Sequence, residues 1–329
     1  MAPVTEVPRR LRPRPSTTDR IFRGGSFSIG FLVLAITGSI GVFLGFQSIP
    51  TLRHYGLHFF VENQWQPEQD IIGISAVLLG TVCVAAVALA VAFPIAFTTA
   101  LYISEYAPPR LRGFLVSMVD LMAAVPSIIW GLFGRDLLED HFLVYVSHWI
   151  QQHAGWIPIF EVETDPNAAV FQQSRYVGSA FIAGIAVSFM VIPMACAVMR
   201  QVFSQAPLAE REAALALGAT RWGMIRTVVL PFGRGGIIGG TMLSLGRALG
   251  ETIAVVLIIS PAFDLKIRIL EIGTITVSSL IAGRFAEASA GQLSALLTAG
   301  FVLFLITLLV NTIAATIVNR SRSGAATDI

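Results

Sequence analysis

Arg247 and Glu251 stand four residues apart in the stretch Gly246-Arg247-Ala248-Leu249-Gly250-Glu251-Thr252, inside an otherwise apolar run. A charge at the centre of a membrane helix costs on the order of 2.5–3.5 kcal/mol on insertion scales, so the pair requires a reason. A guanidinium carries a planar fork of donors that matches phosphate or carboxylate bidentately. A glutamate beside it would hold the arginine while no anion is present and release it when one arrives. The competing reading is a structural ion pair holding helices together. Helix stability alone explains little, because Arg before Glu is the weaker order for an i,i+4 pair. Asp120 is the third charge of this kind, placed just before the Ala-Ala-Val-Pro-Ser break at Pro126. It either lines the same cavity or makes a hydrogen-bonded helix contact.

The elements that hold these residues are membrane helices. Of 329 residues, 55% are apolar and 13% charged, and mean hydropathy is +0.74. Soluble globular proteins carry about 25% charged residues. A spanning helix takes roughly 20 apolar residues. Six runs qualify: 26–49, 71–101, 114–134, 178–199, 236–260 and 291–318. They are continuously apolar, which excludes barrel strands that alternate every second residue. Pro94 predicts a tilt or kink in the second run. Arg247 lies eleven residues into the fifth, ~16 Å deep in a ~30 Å hydrocarbon core. The expectation is an all-α integral membrane protein of six spans.

Net charge is +2, which gives no basis for a nucleic-acid partner. The placement of charge says more. Residues 1–25 hold six arginines and read as a disordered basic tail. The tail, loops 102–113 and 200–235, and the end of the chain hold 15 Lys and Arg; loops 50–70, 135–177 and 261–290 hold 6. The positive-inside rule then puts both termini in the cytoplasm. The first span is too long for a signal-peptide core and reads as a retained anchor. The boundaries that follow are the tail 1–25, the first span with its outer loop at 26–70, a transmembrane domain over 71–319, and a short tail at 320–329. Outer loop 135–177 mixes Phe142, Tyr145, Trp149 and Trp156 with polar residues, which predicts a helix lying at the interface. His141, His148 and His153 have neither an i,i+4 pairing nor a nearby cysteine, so no metal is expected there. Cys83 and Cys196 read as small buried hydrophobes.

Loop 200–235 faces the cytoplasm. Its first part, from Leu208, is rich in helix formers; Gly218 can end that helix, and Thr220 can cap a second. Trp222, Ile225 and Val229 recur at helical spacing and predict an apolar face. Leu230-Pro231 is expected to stop the second helix and start the next span. The result is an elbow suited to docking in a groove on another protein.

Glu212-Ala213-Ala214, then Gly218, then Val228-x-Leu230-Pro231 resembles the EAA motif of ABC importer permeases of the MetI-like family. Valine at 228 departs from the isoleucine preferred there. In that family the loop forms coupling helices that enter the ATPase subunit. The resemblance assigns Glu212, Ala213, Ala214, Gly218 and Trp222 to this contact. "LGRALGETIAV" (245–255) and "LMAAVPSIIWGLFG" (121–134) are similar to permeases of bacterial phosphate-specific importers. Gly250-Glu251-Thr252-Ile253-Ala254-Val255 fits their PstC-type subunit. The likeness covers about 71–318. It implies a phosphate pathway through Arg247, Glu251 and Asp120. It also implies an inner-membrane setting, a homologous PstA-type permease, two ATPase subunits and an extracellular or periplasmic phosphate-binding protein.

The chain has no P-loop of its own. Lys266 is its sole lysine and lies in an outer loop, whereas a phosphate cradle needs G-x-x-x-x-G-K-[ST]. No catalysis and no cofactor are expected here, with ATP bound by the partner. Gly233, Gly235, Gly236, Gly239 and Gly240 fit close helix packing better. Three competing functions stay open: the same machine for sulfate or molybdate, a proton-coupled secondary transporter, and a passive scaffold.

Overall fold

A computed structural model describes residues 17–163 and 171–321. In chain order the helices are α1 (Thr17–Tyr55), α2 (His58–Val61), α3 (Ser75–Leu101), α4 (Pro109–Ala124), α5 (Ser127–Leu132), α6 (Val144–Ala154), α7 (Ala180–Ser204), α8 (Leu208–Ala216), α9 (Arg221–Met224), α10 (Leu230–Gly250), α11 (Ile253–Ile258), α12 (Val277–Arg284) and α13 (Ala290–Ser321). A two-residue antiparallel pair, β1 (Trp65–Gln66) with β2 (Ile71–Ile72), closes the loop before α3. Wider π turns extend α3 through Tyr102–Tyr106, join α5 to α6 over Phe133–Leu143, and join α9 to α10 over Ile225–Val229.

Two compact units divide at Phe46 and Gln47. In the first, the described residues are one helix whose side chains Phe22, Phe27, Phe31 and Leu34 are exposed. That helix begins at Thr17. Residues 17–25, expected to belong to the basic tail, are helical, with Arg20 and Arg23 on α1; residues 1–16 lie outside the described part.

The second unit is built around α3 and α7. Ala88, Ala92, Ala96 and Ala100 recur every fourth residue of α3 and are fully buried. Small side chains at that spacing let membrane helices approach closely without a hydrophobic drive between them. A Cβ on Gly184 of α7 would sit 2.6 Å from Cβ of Val87. α10 packs on α7 in the same way: a Cβ on Gly233 would meet the Phe203 ring at 2.6 Å, and one on Gly236 would meet Val202 at 2.5 Å. The glycine cluster is thus a packing surface, although Gly239 has open space around it. A second core gathers Phe59, Trp65, Ile74, Val77, Leu280 and Leu296.

Among the described residues five helices are long and apolar enough to span a membrane, and α4 with the helix from Ser127 to Ala154 forms a further pair bent by 88°. The expected run 114–134 is therefore no straight span. Pro126 forces Val125 into extended backbone (φ −67°, ψ 126°) and ends α4. Pro94 and Pro193, by contrast, sit inside continuous helices. The helix expected in loop 135–177 is present as α6, with Tyr145 and Trp149 exposed; residues 164–170 of that loop lie outside the described part. On that side Arg268 reaches Glu163 at 3.2 Å, Glu271 at 3.4 Å and Glu161 at 3.5 Å. The Gly178 N–H donates to the buried Glu139 carboxylate.

Candidate functional site

The fifth expected span, 236–260, breaks at the residues meant to do chemistry. α10 ends at Gly250, Glu251 is extended (φ −67°, ψ 128°), and α11 starts two residues later. Gly250 and Thr252 flank the break, and both are poor helix formers. An i,i+4 pair meets only within a continuous helix, so Arg247 and Glu251 form no ion pair here. Glu251 is instead buried, with its carboxylate accepting from the Ala254 N–H at 3.3 Å. Its contact is with the first turn of α11, where an acidic group satisfies a free donor.

Arg247 faces a cavity of about 560 Å³ between α10 and α13, lined also by Gly246, Gly250, Met194, Thr307 and Asn311. Ligand pockets of small molecules run about 300–1,000 Å³. Arg247 is exposed. Among the described residues neither Arg247 nor Asn311 has a hydrogen-bond or ion-pair partner. Thr307 Oγ1 donates to the Phe304 carbonyl at 2.9 Å, which leaves its oxygen able to accept. A guanidinium, an amide and a hydroxyl thus share one wall in an apolar surrounding. Sequence reasoning missed Thr307 and Asn311 because it searched the spans for charges. The signal was available: Asn311 is the one amide deep inside the run 291–318.

Asp120 does not line this cavity. It lies 3.9 Å from Arg200, near the end of α7. Of its two expected roles, the structure displays the helix contact.

The broken elements are joined to one another. A Cβ on Gly131 of α5 would lie 2.8 Å from Cα of Ala254, and one on Gly134 would meet Ile258 at 2.7 Å. Arg135 donates to the Leu257 carbonyl at 3.0 Å, satisfying an acceptor near the end of α11. Trp130 stacks on Phe189 of α7 with ring centroids 5.4 Å apart.

The elbow forms as α8, a turn and α9. Gly218 sits at φ +85°, the left-handed region where a glycine ends a helix without strain. Thr220 caps α9 by accepting from the Gly223 N–H at 3.1 Å. Glu212 and Ala213 are exposed, and Ala214 packs against the core. The expected apolar face divides. Trp222 is 52% exposed, whereas Ile225 and Val229 are fully buried in the protein's own core. The outward knobs are Trp222 and Leu217, the latter 90% exposed. Leu230-Pro231 does not stop the helix, which runs from Arg221 to Gly250. The π turn directly before Pro231 widens the backbone where the ring would crowd the preceding turn.

Long apolar helices, two breaks within them and an elbow between α8 and α9 mark a polytopic helical membrane protein. The family described as binding-protein-dependent transport system inner membrane component matches residues 92–323, and this chain belongs to it. Curated relatives agree over nearly the whole length. The "phosphate transport system permease protein PstC 2" of Mycobacterium tuberculosis is 36% identical over 310 residues, 93% of each chain. The "phosphate transport system permease protein PstC" of Pasteurella multocida is 36% identical over 302 residues, 92% of each chain. A "probable" PstC of Methanocaldococcus jannaschii is 34% identical, covering 86% of this chain and 88% of its own. In fold, the chain matches a subunit of a bacterial ABC transporter involved in import of the acidic polysaccharide alginate, with TM-score 0.52 and 17% identity over 92% of this chain and 99% of that one. The chain is therefore a multi-pass inner-membrane permease component.

Proposed function

We propose that this chain is the permease subunit of an ATP-driven importer of inorganic phosphate, and that the anion passes Arg247. The observation that carries this reading is a guanidinium, without a partner among the described residues, facing a cavity in an apolar bundle. A charge kept there without a counter-ion is explained by a ligand that supplies one. The relatives named as phosphate permeases support phosphate as that ligand. Because Glu251 is engaged with α11, it holds the break between α10 and α11 in shape rather than serving as the resting partner of Arg247. Asp120 acts through Arg200 at the margin of the path.

The partners are a homologous PstA-type permease, two ATPase subunits and an extracellular or periplasmic phosphate-binding protein. Arg247 opens on the chain's own surface, which suits a pathway whose far wall belongs to a second permease. The excess of Lys and Arg in the elbow loop and the terminal segments supports a cytoplasmic side for them. Leu217 and Trp222 are the knobs that enter the ATPase, with Glu212, Ala213 and Gly218 beside them. ATP closes the ATPase dimer, the elbow transmits that motion, and the cavity changes the side it faces. ATP is bound by the partner alone.

The test is uptake of radiolabelled phosphate into proteoliposomes holding the co-purified complex, with sulfate as competitor. Uptake that needs ATP and is unaffected by excess sulfate is expected. Competition by sulfate would reassign the substrate to oxyanions in general. Uptake that survives ATP depletion and collapses with the proton gradient would overturn the mechanism.

A further inference from the structure

Three elements meet at one partly buried arginine under the elbow. Arg211, in the first turns of α8, donates from Nη1 to Glu105 Oε2 at 3.0 Å and from Nη2 to the Phe203 carbonyl at 2.5 Å. Glu105 lies in the π turn that extends α3, and its side chain is 3% exposed. Ser104 donates to its other oxygen at 2.7 Å. Phe203 lies in the last turn of α7, and its carbonyl also accepts from the Ala206 N–H at 3.2 Å. Beside this contact the Arg221 guanidinium lies 5.4 Å from the Tyr106 ring centroid, a second tie between the elbow and the same π turn. Arg211 immediately precedes Glu212 and is not among the residues assigned to the ATPase contact.

We propose that Arg211 and Glu105 are the positioning link through which displacement of the elbow reaches α3 and α7 together. The inference rests on the reading that the elbow docks on the ATPase. The forked guanidinium bridges two helix ends at once, as a single ammonium cannot. Pulling α8 away would strand a buried carboxylate without its counter-charge, so the contact resists slipping. α3 and α7 pack closely enough that a Cβ on Gly184 would sit 2.6 Å from Cβ of Val87, so a force delivered to both ends moves them as a unit. α10, which carries Arg247, packs on α7. The link thus joins the ATPase-facing surface to the wall of the anion cavity.

The experiment compares native protein with Glu105→Gln and Arg211→Lys in proteoliposomes holding the complete complex, and reads ATP hydrolysed per phosphate imported. Glu105→Gln keeps shape and removes the charge; its ratio is expected to rise about tenfold, within the span of typical site-to-site couplings. Arg211→Lys keeps the charge and loses the fork; a smaller rise is expected. An unchanged ratio in assembled complexes overturns the link. So does a fall of transport and hydrolysis by the same factor, which marks a role in stability alone. If Glu105→Gln does not assemble, Arg211→Lys decides. If native protein retains no ATPase on purification, the docking reading fails and the link with it.

Discussion

Replacing Arg247 separates a ligand site from a structural charge, because the two predict opposite losses. Arg247 has no partner among the described residues, so its removal orphans no buried group. Stability should then change by no more than about 0.5 kcal/mol, as for other substitutions that touch no special feature. A structural ion pair would behave otherwise: breaking one leaves an uncompensated charge and costs about 3–5 kcal/mol. On the transport side, a hydrogen bond to a charged group contributes about 1.5–3 kcal/mol, which is roughly a 10- to 150-fold effect. Arg247→Lys keeps the charge and loses the second arm of the fork, so uptake below half-saturation should fall within that range. Arg247→Gln loses charge and fork and should fall beyond it. The assay is ATP-dependent phosphate uptake by the reconstituted complex, read beside its unfolding midpoint and the yield of assembled protein. Native uptake by the Gln variant would refute the argument. So would a collapse of assembly, since that is the signature of a partner the structure does not display.

Three further outcomes are expected. Gly236→Ala would place a Cβ 2.5 Å from Val202 and should destabilise by roughly 1–3 kcal/mol through overpacking, whereas Gly239→Ala, with open space around it, should leave the unfolding midpoint unchanged. In the elbow, Leu217→Ser with Trp222→Ser should abolish co-purification of the ATPase while the midpoint holds, because both side chains are exposed; Ile225→Ala, fully buried, should lower the midpoint by an amount equivalent to about 2–5 kcal/mol. In the turn before β2, hydrogen bonds from Tyr55 and then His54 hold the Asp70 carboxyl below its usual value of 3.8. A depressed folded pKa stabilises at pH above the unfolded value, and that contribution is lost as pH falls through the folded one. The midpoint difference between native protein and Asp70→Asn should therefore be present at neutral pH and close in acid below the ordinary carboxylate range.

Much of the fold was legible because a bilayer makes simple demands on a chain. Every run long and apolar enough to cross it became helix, unbroken in four cases and interrupted at Pro126 and at Glu251 in the other two. The elbow was legible for local reasons: Gly218 and Thr220 act through their own backbone and side-chain geometry, and both ended up as expected. Arg247 was legible as an exception, since a lone charge among apolar neighbours stands out in any membrane sequence. The failures have a common cause. Ile225 and Val229 carry the same periodicity as Trp222, but which of them faces a partner depends on where α7 and α10 lie. Asp120 and Arg200 come together across two helices eighty residues apart, a separation that no local pattern encodes.

The amino-acid order alone therefore determined which segments enter the membrane, where the elbow bends, and that a charge at 247 needs an explanation. Only the tertiary structure decided that the helix breaks at Glu251, that this glutamate turns to α11 and leaves Arg247 open to the cavity, and that Arg211 finds Glu105. The physical reason is that insertion and capping depend on a residue and its near neighbours in the chain. Ion pairing in an apolar medium depends instead on which helix surfaces meet, and that is settled by packing among residues far apart in sequence.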